Sequence, residues 1–441
     1  QVQSVQQEED GNLRVMLRED VTQNFAQHLE VDSNVLDSFH MFELTQEDGS
    51  WKVVSHTGGQ DRLYWTLSRS LRNGEGDVSD QMEQQAQELI ELLQVNETDI
   101  LAVPAWAQGC IYYQIFPERF CNGNKENDPD WVKPWGYHTV SNLDFYGGDL
   151  DGIRQKLPYL QELGITGLYL TPLFESPSSH KYDTTDYRKI DPGFGDEETM
   201  KLLVKEAHDR GIRVMLDGVF NHCGSNFLPW RDVMEKGPQS PYYDWFMINR
   251  WPCREQEGST RDGRYYSFAF AERMPKLNTS EKKVRDYFLD TVRYWIETFD
   301  IDGLRLDVAN EISHLFCREL RQMTKQLKPD FYLLGEIWHD AMPWLGGDEF
   351  DAVMNYPFAA AIREFWYRPE KTKSDLEEAI HENLVRYMRQ TTEVLFNLLD
   401  SHDTDRLIHQ TGGNQDLFFQ QLAMLFTMPG SPCIYYGTEV D

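Results

Sequence analysis

The sequence predicts an α/β fold, a (β/α)8 barrel of the TIM type, preceded by a separate β-rich N-terminal domain. Eight short apolar runs lie between residues 110 and 437, typically followed by turn residues and an amphipathic stretch, as expected for strands alternating with helices. Carboxylic acids follow several runs, at the strand ends where barrel enzymes hold their active sites. The 441 residues suffice for a barrel of about 250 residues and further parts.

The eight runs define the predicted strands. In chain order they are CIYYQIF (110–116), TGLYLTP (166–172), RVMLDGVF (213–220), DGLRLDV (302–308), FYLLGEI (331–337), AVMNY (352–356), VLFNLLD (394–400) and CIYYG (433–437). An insertion of roughly sixty residues, about 221–280, follows the third strand and is too long for an ordinary loop. We expect it to form a wall at the mouth of the barrel. The chain stops just past the eighth strand, so we expect the last barrel helix to be missing from it.

Residues 1–104 form the predicted N-terminal domain, and residues 105–441 form the barrel. The N-terminal part contains strand-like pieces, LRVMLRED (13–20) and RLYWTLS (62–68), and a helix-like stretch at 80–94. The stretch VPAW (103–106) is typical of a linker. The polar start QVQSVQQEEDG lacks Met, so we expect a fragment or a processed form, and a removed signal peptide stays an open alternative.

The composition disfavours some partners. The formal charge is −31, from 42 basic and 73 acidic residues, and such a surface repels nucleic acid and anionic membranes. No run of about 18 apolar residues is present, so we expect no membrane span. The six cysteines form no C-x-x-C pair, which favours reduced thiols and a cytoplasmic location, although the even count leaves disulfides open.

Polar residues cluster at the ends of four predicted strands. They are Asp217, Asn221 and His222 at the end of the third strand, Arg305 and Asp307 on the fourth, Glu336 and Trp338 at the end of the fifth, and His402 and Asp403 at the end of the seventh. A polar residue at one strand end is more often solvated or part of a helix cap. Four such ends in one barrel point instead to a shared site.

Such a cluster suits glycoside hydrolysis. A retaining mechanism needs two carboxyls about 5–5.5 Å apart, one as the nucleophile and one as the acid and then the base. Asp307 and Glu336 lie on neighbouring strands in a barrel. We expect Arg305 to hold Asp307 ionised and burial to raise the pKa of Glu336. The alternative is a buried structural Arg–Asp bridge.

The metal-binding signals are weaker. No H-E-x-x-H or clustered Cys/His spacing is present, so we do not expect catalytic zinc. The stretches CNGNKENDP (121–129) and FYGGDL (145–150) offer oxygen ligands on glycine-containing loops, which suit Ca²⁺. A polar turn is the alternative, and spacing alone favours it. No phosphate-binding glycine loop and no G-x-S-x-G is present.

Residues 105–441 resemble the α-amylase family, glycoside hydrolase family 13. The stretches DGVFNH (217–222), GLRLDVANE (303–311), GEIW (335–338) and NLLDSHD (397–403) are similar to its four main motifs, in order and on the expected strands. MPKLN (274–278), VANE (308–311) and the stretch 337–358 are similar to the neopullulanase, cyclomaltodextrinase and maltogenic amylase group.

The resemblance implies a role for each carboxylate. Asp307 is implied as the nucleophile and Glu336 as the general acid and base. Asp403 is implied to bind sugar hydroxyls and to help distort the ring towards the transition state. Asp217 is implied to support the architecture of the site.

The resemblance also implies which residues bind substrate and metal. By this resemblance we expect Tyr182 to stack under the sugar and Arg305, His222 and His402 to contact it, with Glu311 and Trp338 facing the acceptor side. The implied Ca²⁺ ligands are Asn122, Asn124, Asn127, Asp128, Gly147 and Asp149. Asn124 stands where an acidic residue is common, which lowers the charge of the ligand set.

The implied substrates are cyclomaltodextrins, maltooligosaccharides, starch or pullulan, cleaved at α-1,4 bonds with some transglycosylation, and cleavage of α-1,6 bonds stays an open alternative. The alternatives are an oligo-1,6-glucosidase, a glucanotransferase or a non-catalytic glycan-binding relative. The resemblance implies a β-sandwich-like N-terminal domain at residues 1–104, which in this group completes the partner's active site in a homodimer, although these residues diverge from the group. The group also carries a C-terminal β domain, which we expect to be missing from this chain as the last barrel helix is.

Overall fold

The structure is a computed structural model and describes two parts of the chain. These are residues 2–7, 13–19, 38–47 and 50–57, and residues 101–440 except 137–140, 142–143 and 254–259. The chain divides into two compact units, Gln1–Ile100 and Leu101–Asp441. None of the helices in the described ranges combines the length and apolar character that a bilayer crossing requires.

The first unit contains an antiparallel sheet of four strands in the order β1-β2-β3-β4. The strands are β1 (Val2–Gln7), β2 (Leu13–Glu19), β3 (Ser38–Glu47) and β4 (Ser50–Thr57). This sheet agrees with the β-rich prediction, and β2 coincides with the strand-like piece LRVMLRED. The second predicted piece (62–68) and the helix-like stretch (80–94) lie outside the described residues, and the sandwich itself stays a prediction.

The second unit is built on the predicted parallel barrel. Its strands are β5 (Tyr112–Ile115), β6 (Gly167–Leu170), β9 (Arg213–Gly218), β10 (Gly303–Leu306), β11 (Tyr332–Gly335), β12 (Ala352–Val353), β13 (Phe396–Asn397) and β14 (Ser431–Tyr435). They pair in the order β12-β11-β10-β9-β6-β5-β14-β13. A parallel bridge between Met354 and Phe396 links the two outer strands and closes the barrel. All eight predicted strands and the fold class are therefore confirmed.

The helices begin where the sequence provides side-chain caps. Asp149 accepts a hydrogen bond from the Gly152 amide at the start of α1, and Asp196 accepts one from Thr199 at the start of α2, which satisfies amides that the first turn leaves free. The helices are α1 (Leu150–Glu162), α2 (Glu197–His208), α3 (Leu228–Lys236), α4 (Lys282–Phe299), α5 (His314–Leu327), α6 (Tyr356–Tyr367), α7 (Lys373–Val385), α8 (Arg389–Thr392), α9 (Leu407–Gln410) and α10 (Gln415–Thr427).

Two features surround the mouth of the barrel. The predicted insertion contains α3 and is tied together by short bridges such as His222 with Lys276 and Phe246 with Leu277. A small antiparallel hairpin, β7 (Phe174–Glu175) and β8 (Asp186–Ile190), follows β6 and was not predicted. Its connection carries Tyr182 towards the barrel axis.

Strand register brings the predicted site residues to one level. Arg305 on β10 pairs with Asp217 on β9 and with Leu334 on β11, while Leu306 pairs with Gly218 and Gly335. The next residues along β10 and β11, Asp307 and Glu336, therefore stand side by side at the C-terminal edge of the barrel. All six cysteines are free thiols.

Candidate active site

A cavity of about 580 Å³ opens at the C-terminal edge of the barrel strands. Seven residues proposed from the sequence line it: Tyr182, His222, Asp307, Glu336, Trp338, His402 and Asp403. Their segments lie far apart in sequence, and the barrel brings them into one concave site.

Arg305 lies beneath the cavity and holds its carboxylates together. Its side chain is fully buried, and Nη1 donates to Asp217 Oδ1 at 2.8 Å and to Asp307 Oδ1 at 2.9 Å. Its other terminal nitrogen, Nη2, is 2.9 Å from Glu336 Oε2. One buried guanidinium thus faces three carboxylates, and neither Arg305 nor Asp217 lines the cavity itself.

The pKa of Asp307 is raised well above its usual value. Burial is the largest cause, because a buried carboxylate loses its hydration, and the neighbouring carboxylates add to the effect. The positive charge of Arg305 opposes it without overcoming it.

The pKa of Glu336 is shifted the other way. Burial raises it, but the charge of Arg305 and two N–H donors outweigh burial and lower the pKa overall. The donors are the Val308 amide, 2.8 Å from Oε2, and the Trp338 indole N–H, 3.0 Å from Oε1. The expectation that Arg305 holds Asp307 ionised while burial raises the pKa of Glu336 is therefore wrong for the free site, because Arg305 serves both carboxyls.

The amide that faces Glu336 comes from a strained backbone position. Val308 has φ 47° and ψ 46°, the left-handed region that β-branched residues rarely adopt. Such a conformation costs about 1–3 kcal/mol and persists where the surroundings enforce it. It turns the Val308 amide towards the Glu336 carboxylate.

A chain of hydrogen bonds fixes the rings of His402 and Tyr182 in the cavity wall. Gln114 Nε2 lies 2.8 Å from Nδ1 of His402, and Nε2 of His402 lies 2.6 Å from the Tyr182 hydroxyl. The Tyr182 hydroxyl in turn donates to Asp217 Oδ2 at 2.8 Å. With the Gln114 amide as donor, the imidazole proton sits on Nε2. Burial, with the nearby Arg305, lowers the pKa of His402 to about 4, so the ring is neutral.

His222 presents an unused nitrogen to the cavity. Its Nε2 is buried and has no hydrogen-bond partner in the described part of the chain. Burial is the main cause that lowers its pKa to about 3. The ring stacks on Phe268 with centroids 4.6 Å apart, so the inserted segment supports it. The open nitrogen suits a hydroxyl group of a ligand.

Two of the lining residues, Asp403 and Trp338, stand at the rim of the cavity, and the predicted Glu311 lies outside it. Asp403 is half-exposed, and its Oδ2 lies 3.1 Å from His402 Nε2. Trp338 stacks on Tyr356 with centroids 3.8 Å apart. Glu311 does not line the cavity, and its Oε2 pairs with Lys276 Nζ at 2.7 Å.

Several lining residues were missed by sequence reasoning. They are Phe116, Arg119, His180, Phe268, Met274, Val308, Asn310 and Tyr435. Phe116 and Arg119 directly follow the first strand, so the rule that revealed the other strand ends would also have found them. Phe268 and Met274 come from the insertion, where no periodic signal marks the residue that points inward.

Two side-chain oxygens of the predicted calcium loop make no hydrogen bond within the described part of the chain. Asn122 Oδ1 and Asn127 Oδ1 are buried without a hydrogen-bond partner among the described residues. A Cβ on Gly147 would come within 2.3 Å of Asp128 Oδ1, so this glycine leaves the loop open beside the oxygens. These oxygen atoms are the kind of ligand that a hard cation such as Ca²⁺ prefers.

The other two predicted ligands already have partners. Asp149 accepts hydrogen bonds from the amides of Gly123, Asn124 and Gly152. The side-chain oxygen of Asn124 accepts one from the Glu126 amide. Within the described ranges, no three His, Cys, Asp or Glu residues are grouped to hold a metal ion, so a cation here needs amide or backbone oxygens besides Asp128 and Asp149.

The comparisons with known proteins point to one family. The chain is 53% identical to a cyclomaltodextrinase of Geobacillus thermopakistaniensis over 348 residues, which is 78% of this chain and 58% of that protein. It is 49% identical to an intracellular maltogenic amylase of Bacillus subtilis over 346 residues, with the same coverage of 78% and 58%. The chain thus spans less than two thirds of the length of these relatives.

A solved structure titled cyclomaltodextrinase superposes with a TM-score of 0.75 at 41% identity, covering 91% of this chain and 65% of that one. Residues 114–441 match the model of the α-amylase catalytic domain. The barrel topology, the clustered carboxylates and this match together show that the chain belongs to the α-amylase family.

Proposed function

We propose that the protein is a retaining glycoside hydrolase that cleaves α-1,4-glucosidic bonds in cyclomaltodextrins, maltooligosaccharides, starch or pullulan. The observation that carries this is the pair of neighbouring carboxyls, Asp307 and Glu336, which line one cavity and share the Arg305 guanidinium. The names of the relatives support the substrate class.

In the proposed first step, Glu336 gives its proton to the glycosidic oxygen, and the bond between that oxygen and the anomeric carbon breaks. An Asp307 oxygen forms a bond to the anomeric carbon, which gives a glycosyl-enzyme ester. Glu336 then takes a proton from water, whose oxygen attacks the anomeric carbon and releases Asp307. In the free site the pKa of Asp307 is raised and that of Glu336 is lowered, whereas this step needs an ionised Asp307 and a protonated Glu336, so bound substrate is proposed to oppose both shifts.

The remaining residues position the sugar. The ring of Tyr182 is proposed to stack under it, and its hydroxyl is already engaged by Asp217 and His402. His222 Nε2 has no competing partner and is proposed to bind a hydroxyl group. Asp403 is the half-exposed carboxylate proposed to bind further hydroxyls and favour ring distortion.

Product analysis tests this function. The protein is incubated with γ-cyclodextrin, pullulan and soluble starch, and the products are separated by chromatography. Release of maltose, or of panose from pullulan, with retained anomeric configuration is the expected result. Intact substrates from a folded, full-length protein would exclude the hydrolase and favour a glycan-binding protein. If transfer products form and no hydrolysis products appear, the result would favour a glucanotransferase.

Replacing Trp338 by Phe is expected to move the alkaline limb of kcat, which reports the substrate complex, to higher pH by about one unit. The Trp338 N–H stabilises ionised Glu336, so its loss raises the pKa of that carboxyl. A general acid works while it is protonated, and a raised pKa keeps it protonated to higher pH. In the control Tyr356→Phe, which keeps the stacked ring, the limb should not move. A downward or absent shift in Trp338→Phe contradicts the proposed contact.

A structural Ca²⁺ on the loop from Asn122 to Asp128, closed by Gly147, is a second part of the proposal. Its support is the pair of unpartnered amide oxygens. Added Ca²⁺ is expected to raise Tm in differential scanning calorimetry, because a ligand that binds the folded state stabilises it by about 3 kcal/mol at a hundredfold excess over Kd. Asn127→Ala should abolish the increase, and Asn226→Ala, outside this ligand set, should retain it. An equal Tm with calcium and with chelator would contradict the site.

A cytoplasmic location and a homodimer complete the proposal. The six free thiols and a relative named intracellular support the location. The homodimer is supported by the family resemblance alone.

A further inference from the structure

A second cavity of about 520 Å³ lies on the barrel unit, apart from the candidate active site. None of the residues that line it lines the active-site cavity. Its walls come from the loop after β5, the loop before α1 and the β7–β8 hairpin. Its volume is within the range of about 300–1,000 Å³ for small-ligand sites, and nothing in the proposed mechanism uses it.

Glu118 supplies an unused acceptor in this cavity. The side chain is buried, and its Oε1 accepts hydrogen bonds from the amides of Tyr146 and Gly147. Its Oε2 is buried and has no hydrogen-bond partner among the described residues. Arg119 Nε, at 3.7 Å, is beyond hydrogen-bond reach. A buried oxygen without a donor costs about 1–3 kcal/mol, so a ligand hydroxyl there is favourable.

The charges around the cavity favour a neutral ligand over an anion. Lys181 is buried, and its Nζ is 2.6 Å from Asp191 Oδ2 and 3.1 Å from the Ser176 carbonyl oxygen. The ammonium group of Lys189, on the same hairpin, is paired with Glu175 at 2.9 Å. Since these two cations have carboxylate partners, the described wall offers no free positive charge to an anionic ligand.

An exposed aromatic ring stands at the same cavity. The side chain of Trp131 is 66% exposed, although it is large and apolar. It contacts Phe145 edge to face, with centroids 6.1 Å apart and planes at 82°, which leaves an indole face open. Sugars present C–H groups on one face and hydroxyls at the edge, so an open indole face beside a buried acceptor matches both parts of a glucosyl unit.

We propose that this cavity is a second, non-catalytic site for an α-glucan segment, with a glucosyl ring on Trp131 and a hydroxyl on Glu118 Oε2. The ligand class rests on the proposed function, while the location rests on the cavity alone. Such a site holds a long chain on the enzyme while another part of it occupies the catalytic cavity. It contributes little to small substrates.

The test uses the slow variant Asp307→Asn and calorimetric titration with maltotriose. Asn127 and Gly147 belong both to the cavity wall and to the proposed calcium loop, so the buffer contains Ca²⁺ throughout. Two binding events are expected. Adding Trp131→Ala should remove one event, and adding Glu118→Gln, which keeps the Oε1 acceptor, should weaken the same event by about threefold to tenfold. Phe419→Ala on α10, where the side chain is 62% exposed, is the control and should leave both binding events unchanged.

The outcomes separate this site from the catalytic one. The binding event that Trp131→Ala leaves belongs to the catalytic cavity and should disappear when Tyr182→Ala is added. If Asp307→Asn lacks this catalytic-cavity event, the result counts against the proposed function and not against the second cavity. A single event that is unaffected by Trp131→Ala would overturn the second site. With Asp307 intact, Trp131→Ala should turn over γ-cyclodextrin within about twofold of the unmodified protein and raise KM for soluble starch. An equal loss on both substrates would also overturn the proposal.

Discussion

Replacing Asp307 by Asn is expected to lower kcat for γ-cyclodextrin by at least about 10³-fold, equivalent to ~4 kcal/mol of transition-state stabilisation. An amide oxygen is a poor nucleophile, so the covalent step is lost although the side chain keeps its shape. Asp307 Oδ1 accepts from Arg305 at 2.9 Å, and the Asn oxygen retains that hydrogen bond. The structure should therefore be preserved, which the melting curve checks.

A second carboxyl variant separates the two roles. Glu336→Gln should also lose γ-cyclodextrin turnover, by about 10²–10⁴-fold, because Gln cannot protonate the leaving oxygen. With α-maltosyl fluoride the leaving group needs no proton, so Glu336→Gln should still release fluoride and Asp307→Asn should not. The reverse pattern would exchange the roles of the two carboxyls. Equal losses on both substrates would indicate that neither role is specific.

Replacing Asp302 by Asn is expected to lower the free energy of unfolding by about 3–5 kcal/mol, because it removes a buried charge from its partners. The Asp302 side chain is fully buried at the start of β10. It contacts Lys328 at 2.9 Å, Arg213 at 2.8 Å and His208 at 2.6 Å. The carboxylate thus links the ends of two helices to two neighbouring strands, at the opposite edge of the barrel from the candidate active site.

The same cluster predicts a dependence on pH. Burial raises the pKa of Asp302, but His208, Lys328 and the Val214 amide outweigh it and lower the pKa well below its usual range. A lowered pKa in the folded state stabilises the protein above the unfolded-state pKa of about 3.9 and ceases to do so as the pH falls below it. The stability difference between the unmodified protein and Asp302→Asn should therefore shrink below about pH 4 in urea titrations.

Asp300 provides the matched control. Its side chain is 71% exposed and contacts the same Lys328 at 2.9 Å. Its φ of 56° is one that Asn adopts readily. Asp300→Asn should therefore cost less than about 1 kcal/mol, as surface ion pairs do. Similar losses in both variants would show that burial of Asp302 is not the cause.

Local patterns in the sequence were sufficient for the barrel. Each predicted strand is a short apolar run, and apolar runs between turn residues need no knowledge of distant contacts. Strand ends were the weak point, since the observed β12 and β13 have two residues each within longer apolar runs. The β7–β8 hairpin was missed because its strands carry no clear alternation.

The candidate site followed from a general rule of barrels and a family resemblance. Strand-end polar residues converge in any barrel, so Asp307, Glu336, His402 and Asp403 were predicted to meet before any distance was known. Glu311 shows the limit of this reasoning. It follows β10, as Asp307 does, yet its side chain pairs with Lys276 from the insertion. No local pattern connects these two segments of the sequence.

The sequence by itself determined the strands, their order along the chain and the residue types at their ends, because these depend on periodicity and chain direction. Only the tertiary structure decided the second cavity and the directions in which the pKa values of Asp307 and Glu336 shift. These directions depend on burial and on one buried Arg305 facing carboxylates from three strands. Glu118 and Trp131 share a wall through folding of separate loops. Burial and distance set both features, and neither is written in the spacing of residues.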